Sequence, residues 1–281
     1  MEQKKMRYSP FESLFTLDED TRPLDYVVTD GGLCSIFQSL TVIGDSLSSG
    51  EFESVDEDGK HSWHDMYEYA WGSYMARDCG FHVNLFSKGG MKASTYMESF
   101  ANERGFFDPK YRSQMYIIAL GVNDMWSDIP MGSVGDIDLC DLTKNAKTYA
   151  GYYAQIIQKY KEISPDAFFF LVTMPRLGDA HDSRRAEYAQ LLNDIAGLFG
   201  QVYVIDLYKY APVYDAAFKE RFWLHGHMNP MGYRYTALMM ESYIDYYIRK
   251  DPPAFYEIGF MGTNYYTLGD KAKNKKEKIE S

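Results

Sequence analysis

Five short apolar runs, 39–43 (SLTVI), 81–86 (FHVNLF), 115–120 (MYIIAL), 167–173 (AFFFLVT) and 202–207 (VYVIDL), alternate with longer amphipathic stretches. Most of the runs are nearly continuous in apolar side chains, as in strands covered by helices on both faces, so the alternation predicts a parallel sheet in an α/β domain. Helices are expected at 62–77, 92–102, 143–162, 184–198 and 231–249. The last begins just beyond Asn229 and Pro230. In 143–162, Ala146, Tyr149, Ala150, Tyr153, Ile156, Ile157 and Tyr160 share one stripe. No linker or internal repeat divides the region. The expected organisation is an N-terminal arm over residues 1–38, which mixes Phe11, Phe15 and Tyr26 with acidic and turn-forming residues, packed on the main domain. One domain over 39–250 follows, and then a C-terminal surface wrap and charged tail over 251–281.

The chain has 281 residues, 29 Lys and Arg against 40 Asp and Glu, and a formal charge of −11. A net negative surface disfavours a general grip on nucleic acid or anionic lipid. No apolar stretch reaches the ~20 residues of a membrane span or stands behind the charged start as in a secretory leader. Cys34, Cys79 and Cys140 are too few and too widely spaced for a disulfide framework or a clustered zinc site. The expectation is a cytoplasmic protein with no membrane or nucleic-acid partner and no cofactor.

Polar residues gather just beyond the carboxyl ends of three runs, where open parallel sheets bind ligands. After the first comes GDSLSSG. Ser46 there is placed to present a hydroxyl and its own N–H to a crevice, although Asp45 and Ser46 equally fit a helix cap. After the second come Gly89 and Gly90, which can expose backbone N–H groups or merely turn the chain. After the third comes GVND, where Asn123 offers an amide donor or an Asx turn. Late in the chain, WLHGHMNPMGY holds His225 and His227, either of which can act as a base. The histidine pairs 225/227 and 61/64 lack a third and fourth metal ligand, so no metal site is expected. His82 and His181 read as surface or packing residues.

In this order the motifs resemble those of the SGNH hydrolase family, the GDSL-type esterases and lipases. The likeness rests on GDSL at 44–47, a glycine after the second strand, GVND at 121–124, and a histidine before Asn229 and the Gly232-Tyr233 pair. It covers roughly residues 38 to 250. The resemblance implies a three-layer flavodoxin-like fold with a five-stranded parallel sheet and hydrolysis of esters through an acyl-serine. It implies Ser46 as nucleophile, the N–H groups of Ser46 and Gly90 with the Asn123 amide as oxyanion donors, and His227 as base. Gly90 is preferred to Gly89 because Met91, Lys92 and Ala93 follow it as a helix start.

One residue departs from the pattern. Three positions before its histidine the family usually has Asp, and here stands Leu224, which cannot accept an imidazole N–H. A backbone carbonyl, a water or another carboxylate must serve, and Asp215 and Glu220 are nearest in sequence. The expected substrates are short-chain acyl esters, with O-acetyl groups of a small carbohydrate ranked first and Trp126 and Met228 as candidate pocket residues. The alternative, which Leu224 favours, is a non-catalytic carbohydrate- or ester-binding protein retaining the fold. The terminal extensions fit either a cover over the site or a homo-oligomer interface.

Overall fold

The computed structural model describes residues 16–267. Strand β1 (Ser39–Gly44) leads into a one-turn helix α1 (Ser46–Ser49), an antiparallel hairpin of β2 (Glu51–Val55) and β3 (His61–Asp65), helix α2 (Trp71–Cys79) and strand β4 (His82–Ser87). A helical stretch follows, made of α3 (Ala93–Thr95), a π turn (Tyr96–Phe100) and α4 (Ala101–Glu103). Then come β5 (Met115–Ala119), α5 (Tyr149–Ile163), β6 (Phe168–Val172), α6 (Asp182–Gly197), β7 (Val202–Ile205), α7 (Leu207–Tyr210) and α8 (Ala216–Phe222). A two-stranded ribbon, β8 (Trp223–Leu224) and β9 (His227–Met228), precedes the long helix α9 (Pro230–Lys250).

The central sheet has the order β4-β1-β5-β6-β7 with every neighbouring pair parallel. In chain order of these five strands this is 2-1-3-4-5, the flavodoxin-like doubly wound arrangement, and its direction of winding reverses beside β1. Each strand end lies within two residues of its apolar run. Such runs are legible because both faces of these strands are buried. Met115 and Ile117, with Phe168, Phe170 and Val172, face the layer that includes Tyr243 and Ile244 of α9. Tyr116 and Ile118, with Phe169 and Leu171, face the layer of Tyr153, Ile157 and Leu192 from α5 and α6. Successive side chains thus alternate between the two outer layers.

The register sets the site. Gly44 pairs with both Ser87 and Ala119, so three strands end at one level and their exit loops start side by side. Two tyrosines of α5 continue this order beyond the ladder. Tyr153 donates to the Ile118 carbonyl (2.8 Å) and Tyr149 to the Leu120 carbonyl (3.1 Å), so these buried phenols also satisfy backbone acceptors where the sheet runs out.

Two expected helices are corrected. Over 62–77 only Trp71–Cys79 is α-helical, because HSWHD pairs instead with Glu51–Val55. Over 143–162 the helix begins at Tyr149, where the Thr148 hydroxyl accepts from the Gly151 N–H at 3.2 Å and caps it. The stretches 92–102, 184–198 and 231–249 are helical nearly as expected. A 3₁₀ turn at Gly32–Ile36 packs on α9 and α2, and Phe255 stacks on Phe168 with ring centroids 4.8 Å apart. Phe11, Phe15 and the charged tail lie outside the described residues. No helix among the described residues is long and apolar enough to cross a membrane.

Candidate active site

The first exit loop is shaped by glycines at both ends. A Cβ on Gly44 would lie 2.1 Å from Ser48 Oγ, and one on Gly50, whose φ is +72°, would lie 2.6 Å from the Met66 carbonyl. Between them Asp45 caps α1, its carboxylate accepting from the Leu47 N–H at 3.0 Å. Of the three serines in this turn, Ser48 and Ser49 are buried, and Ser49 donates to Asp65 at 2.5 Å. Ser46 at the helix start is half-buried, with its hydroxyl hydrogen-bonded to no other described residue.

The second and third loops are tied to the first. Gly90 has φ +71°, and a Cβ there would meet none of the described residues within 4 Å, so among them its face is open. The Asn123 amide donates to the Met91 carbonyl (3.1 Å) and, at longer range, to the Asp45 carboxylate (3.4 Å). Asp124 accepts from the Ala93 N–H at 2.9 Å and so caps the helical stretch that follows Gly90. One Asn-Asp pair therefore links all three strand exits. Ser46, Gly90 and Asn123 are brought together, and Asn123 forms no local Asx turn.

His227 arrives from the far end of the chain. The turn Leu224–His225–Gly226–His227 joins β8 to β9, with His225 exposed at φ +56°. Asn229 then caps α9 through the Gly232 N–H at 2.9 Å. Strand β9 packs against both α1 and β2, which puts His227 beside the Ser46 turn and leaves His225 outside. Among the described residues no hydrogen bond joins His227 to Ser46. The His227 Nε2 lies instead 3.0 Å from Glu51 Oε1, and Nδ1 lies 3.7 Å from Glu53 Oε2.

These two glutamates correct the expectation drawn from sequence distance. Asp215 caps α8 through the Phe218 N–H, and Glu220 is exposed on that helix. The carboxylates at His227 come from the β2–β3 hairpin. Gly89 and Gly226 leave them room, since a Cβ would lie 2.1 Å from Glu51 Oε2 at Gly89 and 2.3 Å from Glu53 Oε2 at Gly226. The remaining histidines are engaged elsewhere. His61 bonds Glu53, His64 bonds Ser54, His82 meets Asn84, and His181 packs edge-on to Trp126.

Burial sets the protonation states. It pushes Asp45 up to about 7 and Asp124 to about 6, and it pushes Glu51, crowded also by Asp65 and Glu53, to about 7. The His227 imidazole is lowered by burial against the opposing pull of Glu53, so it is neutral at pH 7 and able to accept a proton. Glu53 is held below the usual carboxylate range chiefly by His61.

A cavity of about 320 Å³ opens beside α1 at the ends of β5 and β6. Leu47, Met125, Val172, Met174 and Met228 line it, with the exposed Trp126 also on its wall. A shallower groove lies by Gly90, bordered by Trp63, Asp65, Lys88 and Glu51. An apolar recess beside polar donors suits an ester with an apolar part.

A nucleophile-type turn, an anchored amide and an imidazole at the switch point of a doubly wound sheet define the SGNH class of hydrolase fold. The chain belongs to the GDSL-like Lipase/Acylhydrolase family, whose model matches residues 42–235, and it is thereby an esterase-type hydrolase. Solved structures share the fold at low identity. A protein from Lactobacillus plantarum is 16% identical with a TM-score of 0.56, covering 75% of this chain and 97% of that one. A family two carbohydrate esterase from Clostridium thermocellum in complex with cellohexaose is 17% identical with a TM-score of 0.52, covering 77% and 65%. A carbohydrate esterase family 2 enzyme with a carbohydrate binding domain from Corynascus thermopiles (Myceliophthora fergusii) is 17% identical with a TM-score of 0.51, covering 74% and 65%. No curated protein sequence matches the chain.

Proposed function

We propose that the protein hydrolyses short-chain acyl esters through an acyl-Ser46 intermediate, with O-acetyl groups of a small carbohydrate as the favoured class. The observation that carries this reading is the linkage of three flush strand exits by Asn123 and Asp124, with the half-buried Ser46 next to the linked Asp45. His227 takes the Ser46 proton as Oγ attacks the carbonyl carbon. The Ser46 and Gly90 N–H groups hold the oxyanion together with the Asn123 amide, which turns one N–H from its long contact with Asp45 to the substrate, and these donors carry partial positive charge without titrating. Collapse of the tetrahedral adduct expels the alcohol, which receives the proton from His227. Water then repeats the sequence on the acyl-enzyme. For the first step Nε2 leaves Glu51 and turns to Ser46, a tightening expected when substrate fills a site that is loose without it.

The carbohydrate preference is supported by the exposed Trp63 and the carboxylates in the groove by Gly90, a surface suited to a polyol, and by the esterases that share the fold. A serine-directed fluorophosphonate, with p-nitrophenyl acetate and acetylated sugars as substrates, tests the reading. The expected result is rapid labelling and turnover, lost in Ser46→Ala and in His227→Ala but retained in His225→Ala. Neither labelling nor turnover across acyl lengths would leave the fold as a ligand-binding scaffold.

A further inference from the structure

The residue that replaces the family's usual acid was sought around the imidazole itself. Leu224 stands directly opposite His227 in the β8–β9 ribbon, and directly opposed residues of an antiparallel pair point to one face. An Asp at 224 would therefore neighbour the ring, whereas leucine leaves that side without an acceptor. A serine–histidine pair needs one ring nitrogen free for the hydroxyl and the other held by an acceptor that fixes tautomer and orientation. Two carboxylates flank the ring, and they occupy different nitrogens. Glu51 is on Nε2, the nitrogen that must turn to Ser46, and Glu53 is on the Nδ1 side.

We propose that Glu53 is the positioning carboxylate for His227, supplied by the β2–β3 hairpin in place of the acid missing at 224. The assignment rests on the Ser46–His227 reading above. The Glu53 side chain is 8% exposed and doubly anchored: one oxygen bonds His61 Nδ1, and the other accepts the Gly226 N–H at 2.5 Å. Gly226 immediately precedes His227, so the same carboxylate fixes both the turn and the ring it carries. A Cβ at 226 would lie 2.3 Å from Glu53 Oε2, so a larger residue there would displace the carboxylate from this position. The His227 Nδ1 is buried with no hydrogen-bond partner among the described residues, and an approach of roughly 1 Å would bring it onto Glu53 at ordinary hydrogen-bond length. Anchoring by His61 and Gly226 keeps Glu53 anionic, the state in which it accepts Nδ1–H and stabilises the imidazolium. The other titratable groups around this pair are Glu51, Asp65 and His61.

The test is Glu53→Gln beside Glu53→Asp, with kcat and KM on p-nitrophenyl acetate across pH, fluorophosphonate labelling, and ¹⁵N chemical shifts of the His227 ring. For Glu53→Gln the expected result is a kcat lower by ~10²- to 10⁴-fold at nearly constant KM. The acid limb of kcat/KM should also move to lower pH, because the imidazolium has lost an anion. The Nδ1–H tautomer, dominant in the wild type, should no longer prevail. Glu53→Asp should recover part of kcat, and Leu224→Asp should recover part of it in the Glu53→Gln background. Wild-type kcat in Glu53→Gln, or a loss with the acid limb and the tautomer unmoved, overturns the assignment alone. Absence of labelling and turnover in the wild type overturns the Ser46–His227 reading and this assignment with it.

Discussion

Replacing Asp45 by Asn should flatten the pH dependence of stability. The Asp45 carboxyl is 2% exposed, and burial pushes it from its ordinary 3.8 to about 7, with the Leu47 N–H pulling the other way and Asp124 and Glu51 adding to the rise. The unfolded chain releases this proton near 3.8, while the folded protein keeps it until about 7. Over that interval the folded state binds more protons, so stability falls as pH rises and the penalty is complete above about 7. At about 1.4 kcal/mol for each tenfold in proton affinity, the whole penalty is at most about 4 kcal/mol. Roughly a third of it is already present at pH 5, which leaves roughly 3 kcal/mol to be lost by pH 8. Asn retains an acceptor for the Leu47 N–H but carries no charge. Its mismatch with the Asn123 amide adds a pH-independent loss of about 1 kcal/mol. Urea unfolding at about pH 5 and about pH 8 reads the difference. Both proteins keep the same-signed contributions of Glu51 and Asp124, and the wild type should lose roughly 3 kcal/mol more than Asp45→Asn across the interval. Parallel curves for the two proteins would show that Asp45 is ionised throughout and refute the reasoning.

Two further outcomes follow from the loop geometry. Asn123→Ala should lower kcat on p-nitrophenyl acetate by about two to three orders of magnitude through loss of one oxyanion donor, with a melting temperature lowered by only a few degrees as the Met91 and Asp45 hydrogen bonds are lost. An unchanged kcat would remove Asn123 from the donor set. Gly44→Ala places a Cβ 2.1 Å from Ser48 Oγ, 2.4 Å from Ser48 Cβ and 3.2 Å from the Ala119 carbonyl, so α1 must shift. The expected loss is on the order of 1–3 kcal/mol in urea unfolding, with a parallel fall in labelling at Ser46, and wild-type values of both would show that the turn yields freely.

The sheet was readable because its strands are buried on both faces, so runs such as FFFLV are apolar at every position. The β2–β3 hairpin was not. Its residues EFESV and HSWHD are mostly polar, and the inward positions of β2 are taken by Glu51 and Glu53 rather than by apolar side chains, so no apolar alternation marks the strand, and part of the hairpin reads as the start of a helix. The motif residues Ser46, Gly90, Asn123 and His227 were legible because each stands at a strand exit or just before a helix, where local chemistry marks it. The environment of His227 was hidden, since Glu53 meets Gly226 across 173 positions of sequence. Proximity along the chain pointed to Asp215 and Glu220, whose carboxylates serve a helix cap and the solvent.

Helix α9 begins three residues after His227 and runs for 21 residues, roughly 31 Å at 1.5 Å per residue. Its distal end is clamped by Tyr247 donating to the Val204 carbonyl and by Asp245 accepting the Leu33 N–H at 2.8 Å. The imidazole therefore hangs from the near end of a long lever. A tilt of roughly two degrees about the far clamp sweeps the ring through about 1 Å, a displacement large enough to lower a reaction rate about a hundredfold. Substitutions around Tyr247, remote from any substrate, would in this geometry register in turnover before they register in melting temperature.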